Sequence, residues 1–283
     1  MATVALALGS GGARGYAHIG AIQELEARGF DIVAISGTSM GAMVGGLYSA
    51  GKLTEFASWV TSLKQTDVIR LLDPSLSAPG AIKAEKVMNK VRAILGKVRI
   101  EELNIPFTAV ATDVMQAKEV WFQQGPLDAA IRASIAIPSL ISSVTVSGRL
   151  MVDGGLLNPL PIAPLASNKA DLVIAVSLSG PGQNHPMGNP SIISSDKRAS
   201  RSDTETQQLA KIPKGISTFE VMERSIETMQ SIITRYRTAG YPPDLLVEIP
   251  IDSIGMLEFH KAKDQIELGR KLTARAIDNW GSK

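Results

Sequence analysis

Apolar residues along this chain fall into short continuous runs, separated by longer stretches in which they recur every three or four positions. "TVALAL" (3–8), "DIVAIS" (31–36), "PFTAVATDV" (106–114), "ADLVIAVSL" (170–178) and "DLLVEIPI" (244–251) have strand length and read as strands buried in a sheet. "YAHIGAIQELEARG" (16–29) sets Ile19, Ile22 and Leu25 near one helical face and stops at Gly29. "MGAMVGGLYSAG" (40–51) predicts a helix of small residues able to pack closely on a sheet, and "PLDAAIRAS" (126–134) a helix with Pro126 near its first position. "VTVSGRLMV" (144–152) predicts a hairpin around Ser147-Gly148. Strand and helix alternate from the N-terminus, the pattern of an α/β fold on a parallel sheet.

The pattern breaks over 179–215, which is rich in Ser, Gly, Pro and charge and predicts a mobile surface loop or lid within a single domain spanning 1–283. Beyond it, Phe219, Met222, Ile226, Met229 and Ile233 fall at helical spacing, and "HKAKDQIELGRKLTARAIDNW" predicts a terminal helix. No internal repeat is visible.

Composition narrows the function. The 283 residues are 45% hydrophobic and 20% charged, as in a soluble globular protein with a sizeable core. A net charge of +2 gives no electrostatic case for nucleic acid. The absence of cysteine excludes disulfides, thiolate zinc sites and cysteine nucleophiles. No apolar run approaches the ~20 residues of a membrane span. "MATVALALGSGG" has no basic residue before its apolar run and leads into a glycine turn, so it reads as a first strand rather than a signal peptide. A cytoplasmic location is the expectation.

The candidate chemistry centres on "GTSMG" (37–41). Ser39, between Gly37 and Gly41, sits between a predicted strand and a predicted helix, where a nucleophile on a sharp turn needs small neighbours on both sides. The helix start adds free backbone N–H groups and the positive end of a dipole. "GSGGARG" (9–15) follows the first strand. In a parallel sheet it should meet the Ser39 turn at one edge, with glycine N–H groups free to face a developing oxyanion. Arg14 can anchor that loop or face negative charge. A dinucleotide-binding loop fits worse, because Arg14 stands where the third glycine belongs and no acid ends the second strand. A plain turn is the remaining reading.

An activating base is less obvious. His185 lies in the polar stretch, His260 near a helix start, and His18 on a helix where packing or capping is the default; none has a partner at metal-ligand spacing. Asp153 in "MVDGG" follows a strand-like run and precedes two glycines that let the backbone turn, although Asp-Gly-Gly is by itself often only a turn.

Together these segments resemble the bacterial patatin-like phospholipase family. "GSGGARG" resembles its glycine-rich oxyanion loop through Gly11, Gly12, Arg14 and Gly15; "GTSMG" resembles its nucleophile elbow; and Asp153, Gly154 and Gly155 resemble the segment that bears its catalytic aspartate. "RASIAIPSLISSV" (132–144) resembles its Ala-Ser…Ile-Pro block. The motifs span 9–155. Ser10 departs from the usual glycine, and Leu140-Ile141-Ser142 from the usual Phe-x-Pro.

The resemblance implies a three-layer α/β/α fold with a central, mostly parallel sheet. It implies a Ser39–Asp153 dyad without histidine or cofactor, an oxyanion site at the N–H groups of Gly11, Gly12 and Met40, and an acyl-enzyme on Ser39. The implied substrate is a lipid or other acyl ester, reached by peripheral contact with a membrane. Met40, Met43 and 135–146 would line an acyl groove or simply fill the core. Three other readings stay open. A Ser–His–Asp hydrolase would use His260 but needs more strands before its elbow than this chain provides. A patatin-fold binding or regulatory protein would have little or no hydrolysis. A serine peptidase finds no support in a peptide cleft.

Overall fold

The computed structural model describes residues 1–72, 84–138, 140–182 and 217–281. Strands β1 (Thr3–Leu8), β2 (Asp31–Thr38), β3 (Phe107–Asp113), β4 (Lys118–Phe122), β5 (Val144–Val146), β6 (Arg149–Asp153), β7 (Leu172–Gly180) and β8 (Leu245–Pro250) form one sheet. Its order is β5-β6-β3-β2-β1-β7-β8, with β4 on β3. The centre, β3-β2-β1-β7-β8, is parallel throughout, while β4, β5 and β6 pair antiparallel at one side.

The helices are α1 (Ala17–Ala27), α2 (Met40–Ser49), α3 (Leu53–Ser62), α4 (Gln65–Leu72), α5 (Glu85–Leu95), α6 (Leu127–Ser134), α7 (Thr218–Gly240) and α8 (Ala262–Gly281). β1 shows why the sheet has unlike faces. Val4, Leu6 and Leu8 join the main core under the layer containing α1 and α2, whereas Ala5 and Ala7 face Leu160, Ile162 and Leu165. Large side chains thus support helices on one face. Small ones on the other let the segment around two 3-10 turns (Gly154–Leu156 and Ala163–Leu165) lie close, with α7 beyond it. The layers are α/β/α, as expected.

The hairpin forms between β5 and β6, with Ser147 at φ 50° and Gly148 at φ 75°, the left-handed pair that a two-residue turn requires. Strand β7 runs on through Ser179 and Gly180, where Gly180 accepts a hydrogen bond from Ile251 N–H at 3.1 Å, so the predicted loop begins later than residue 179. Residues 183–216, which carry most of that predicted loop and His185, lie outside the described residues. Helices α3 to α5 are an addition for which no element was predicted. No helix among the described residues is long and apolar enough to cross a membrane.

α1 and α8 cross on glycines. A Cβ at Gly20 would stand 1.9 Å from Ile266 O, and one at Gly269 would stand 2.0 Å from Ala17 O. Gly269→Ala should therefore destabilise the fold by at least the 1–3 kcal/mol or so typical of overpacking. Urea denaturation measures this, and a change within about 0.5 kcal/mol would refute the close crossing.

Candidate active site

The site is made by two strands that end against each other. β2 pairs with β3 as far as Thr38↔Val110, and β6 pairs with β3 from Ala111↔Asp153. β4 holds the opposite edge of β3 from Ala109 to Asp113. The C-terminal ends of β2 and β6 therefore face one another along a single edge of β3. The chain turns out of β2 at Ser39, and Asp153 is the last residue of β6.

Ser39 has φ 57° and ψ −122°, a conformation costly for a residue with a side chain and typical of a nucleophile elbow. The flanking glycines are steric necessities. A Cβ at Gly37 would stand 2.4 Å from Gly41 C and O, and one at Gly41 would stand 2.1 Å from Leu8 O. Gly15 brings the first loop against the elbow, since a Cβ there would stand 2.3 Å from Met40 Cβ. Gly154 backs onto β3, 2.2 Å from Val110 O by the same measure.

Ser39 Oγ–H donates to Asp153 Oδ2 at 2.5 Å, and the other carboxyl oxygen accepts from Gly155 N–H at 2.7 Å. Both oxygens are thus occupied with no histidine between. Ser39 and Asp153 are 2% and 3% exposed. Burial raises the Asp153 pKa to about 6, against the opposing pull of its hydrogen bonds from Ser39 and Gly155.

The glycine loop is held from several sides. Gly9 N–H donates to Val176 C=O, Ser10 N–H to Pro159 C=O and Ala13 N–H to Met256 C=O. The amides of Gly11 and Gly12 take no partner among the described residues, and neither does that of Met40 in the first turn of α2. Arg14 is an anchor: it is buried, donates to Ile251 C=O and pairs with Glu227 of α7 at 2.7 Å. His18 Nε2–H donates to Gly9 C=O at 2.8 Å, and burial lowers its pKa to about 4, so it is a neutral brace for the loop. His260 is half-buried and hydrogen-bonds neither Ser39 nor Asp153. No group of three or more His, Cys, Asp or Glu among the described residues could hold a metal ion.

Ser39 opens into an apolar pocket. Met40, Met43, Ile135, Ile137, Leu140 and Ile141 line it as the groove reading expected, and the methionines also serve the core. Val144 and Val146 do not line it; they pack on Met151. The remaining walls come from Gly12 and Tyr16 of the first loop, and from the α3–α5 segment and Met256, Leu257 and Phe259, which sequence reasoning missed.

α7 was read only through its apolar spacing. In the fold, Val221, Met222, Met229, Ile232 and Tyr236 are exposed, while Glu227 and Arg237 turn inward to Arg14 and to Glu119 and Leu157 C=O.

The model of the patatin-like phospholipase family matches residues 6–166, which contain every motif residue of the site. This chain is a member of that family. An uncharacterized NTE family protein of Mycobacterium tuberculosis is 46% identical to it, over 97% of this chain and 91% of that protein. Lysophospholipase nte1 of Emericella nidulans is 27% identical over 94% of this patatin-like chain, but the match covers only 17% of that longer protein. The crystal structure of VipD from Legionella pneumophila is a distant likeness, with a TM-score of 0.48 and 14% identity over 98% of this chain and 67% of VipD.

Burial of a carboxylate has a measurable cost in this patatin-like protein. Raising the Asp153 pKa from 3.8 to about 6 costs the native state roughly 3 kcal/mol once the group is ionised. The native carboxyl binds its proton more tightly than the unfolded one, so stability falls as pH rises from about 4 to 6 and is level above that. Asp153→Asn should be more stable than wild type by up to roughly 3 kcal/mol at pH 8. The gap should close as pH drops below 6 toward 4. Urea denaturation across pH checks this, and a gap independent of pH would refute the burial account.

Proposed function

We propose that this protein hydrolyses lipid acyl esters, as a phospholipase, lysophospholipase or carboxylesterase, through a Ser39–Asp153 dyad. The observation that carries the reading is the direct 2.5 Å contact from Ser39 Oγ to buried Asp153 Oδ2, with Ser39 lining an apolar pocket. The relatives named lysophospholipase support a lipid substrate.

In this reading the acyl chain lies in the pocket with its ester carbonyl at Ser39. Ser39 Oγ attacks the carbonyl carbon while its proton passes to Asp153 Oδ2. The oxyanion is received by the N–H groups of Gly11, Gly12 and Met40, amides without a partner among the described residues. Asp153 returns the proton to the departing alkoxide, leaving an acyl ester on Ser39. A water then loses its proton to Asp153 and attacks that ester. Collapse of the second tetrahedral intermediate releases the fatty acid, and the proton goes back to Ser39 Oγ. A carboxylate is a weak base for an alcohol, and the raised pKa of Asp153 narrows the mismatch. Arg14, Gly15, Gly37, Gly41, Gly154 and Gly155 shape the two loops and the elbow. Contact with the lipid phase is peripheral, and the site of action is the cytoplasm.

The test is a fluorophosphonate probe followed by turnover of short and long acyl esters. Ser39 should be the labelled residue. Ser39→Ala and Asp153→Asn should each lose at least about 1,000-fold in kcat/KM, with His260→Ala unaffected. Because the base must be ionised, kcat/KM should rise with pH through about 6 and then level. An unlabelled, inert wild type would move the protein to the class of patatin-fold binding modules.

A further inference from the structure

The block "RASIAIPSLISSV" ends α6 with Ser134, whose side chain is fully buried. It lies where β2 leaves β3. Ile35 N–H donates to Pro106 C=O at 2.9 Å. A parallel ladder advances two residues at a time on each strand. Continued twice, the same series runs from Ser39 N–H to Val110 C=O. That rung is not a direct bond. Ser39 N–H donates instead to Ser134 Oγ at 2.8 Å, and Ser134 Oγ–H donates to Val110 C=O at 2.6 Å. A side-chain hydroxyl is spliced into the ladder at the residue that turns away.

We propose that Ser134 is the positioning residue of the nucleophile elbow, holding Ser39 one oxygen atom away from β3 so that its side chain meets Asp153. The proposal rests on the dyad reading above. A direct rung would keep Ser39 in the strand, with extended φ and its side chain set by the pleat. The spliced hydroxyl satisfies both backbone groups while Ser39 adopts φ 57°. The next residue of β3, Ala111, pairs with Asp153, whose own N–H donates to Ala136 C=O at 2.8 Å, two residues beyond Ser134. One short segment, 134–136, thus sets the position of both halves of the dyad. Ser134 does not line the apolar pocket, so it acts through Ser39 and not on substrate.

Without the hydroxyl, Ser39 N–H and Val110 C=O are left facing each other unpaired. They close the gap only if Ser39 moves toward β3, which draws its Oγ off Asp153. Ser134→Ala should lower kcat for a short ester by about 10- to 100-fold, the scale of small misplacements of a reacting group, with KM within twofold of wild type. Loss of the Ser39 hydrogen bond, which holds the Asp153 pKa down, should also move the acid limb of kcat/KM to higher pH. Hydrogen exchange at the Ser39 amide should quicken. The near-isosteric Ser134→Cys, with its weaker hydrogen bonds, should fall between Ala and wild type.

A folded Ser134→Ala enzyme with wild-type kcat and acid limb overturns the proposal. If Ser134→Ala does not fold, the same result for Ser134→Cys overturns it. A wild type that neither labels nor turns over removes the dyad reading and the positioning role together. An active wild type with unchanged variants removes the positioning role alone.

Discussion

The structure turns on one edge of β3. Val110 is the last residue that β2 can reach and Ala111 the first that β6 claims, so two strands arriving from opposite directions stop nose to nose. Everything near the junction serves that meeting. Gly37 and Gly41 let the chain fold back on itself, Gly154 lets the other chain press against β3, and a serine from α6 fills the space between. Ser39 and Asp153 are hydrogen-bonded because the sheet leaves them no other place.

The electrostatics follow from the same closure. A carboxyl set at the end of a buried strand is cut off from water, and its two oxygens must find donors in the protein; they find Ser39 and Gly155. Desolvation then makes the carboxyl a better base than a free aspartate. The elements around it divide the labour. His18 and Arg14 both fix the glycine loop, one through Gly9 and the other through Glu227 and Ile251. The apolar pocket is closed by helices inserted between β2 and β3, an insertion that reaches the site without disturbing the sheet.

The parts legible in the sequence are those whose physics is local. Gly37 announces a tight turn because the clash it avoids, with Gly41, lies at the elbow itself, and the short apolar run of β1 announces a buried strand. Asp153 stood out only through its two glycines and through a family resemblance. What stayed hidden depends on distant partners. Ser134 looks like any helix-end serine until β2 and β3 are aligned. The spacing of α7 predicts a helix but does not say which face turns inward; here polar Glu227 and Arg237 do so, and Met229 and Tyr236 do not. The walls from α3 to α5 could not be assigned to a pocket before their place over Ser39 was known.

The two halves of the site lie 114 residues apart in the chain and share no local structure. They come together only when β2 and β6 have both found β3, contacts of long sequence separation whose closure is slow. A chain still emerging from the ribosome therefore has an elbow without its partner until β6 has been made. Partly folded forms are in the same position. The pairing of Ser39 with Asp153 is thus a product of completed folding, and no chain made only as far as β3 carries both of its halves.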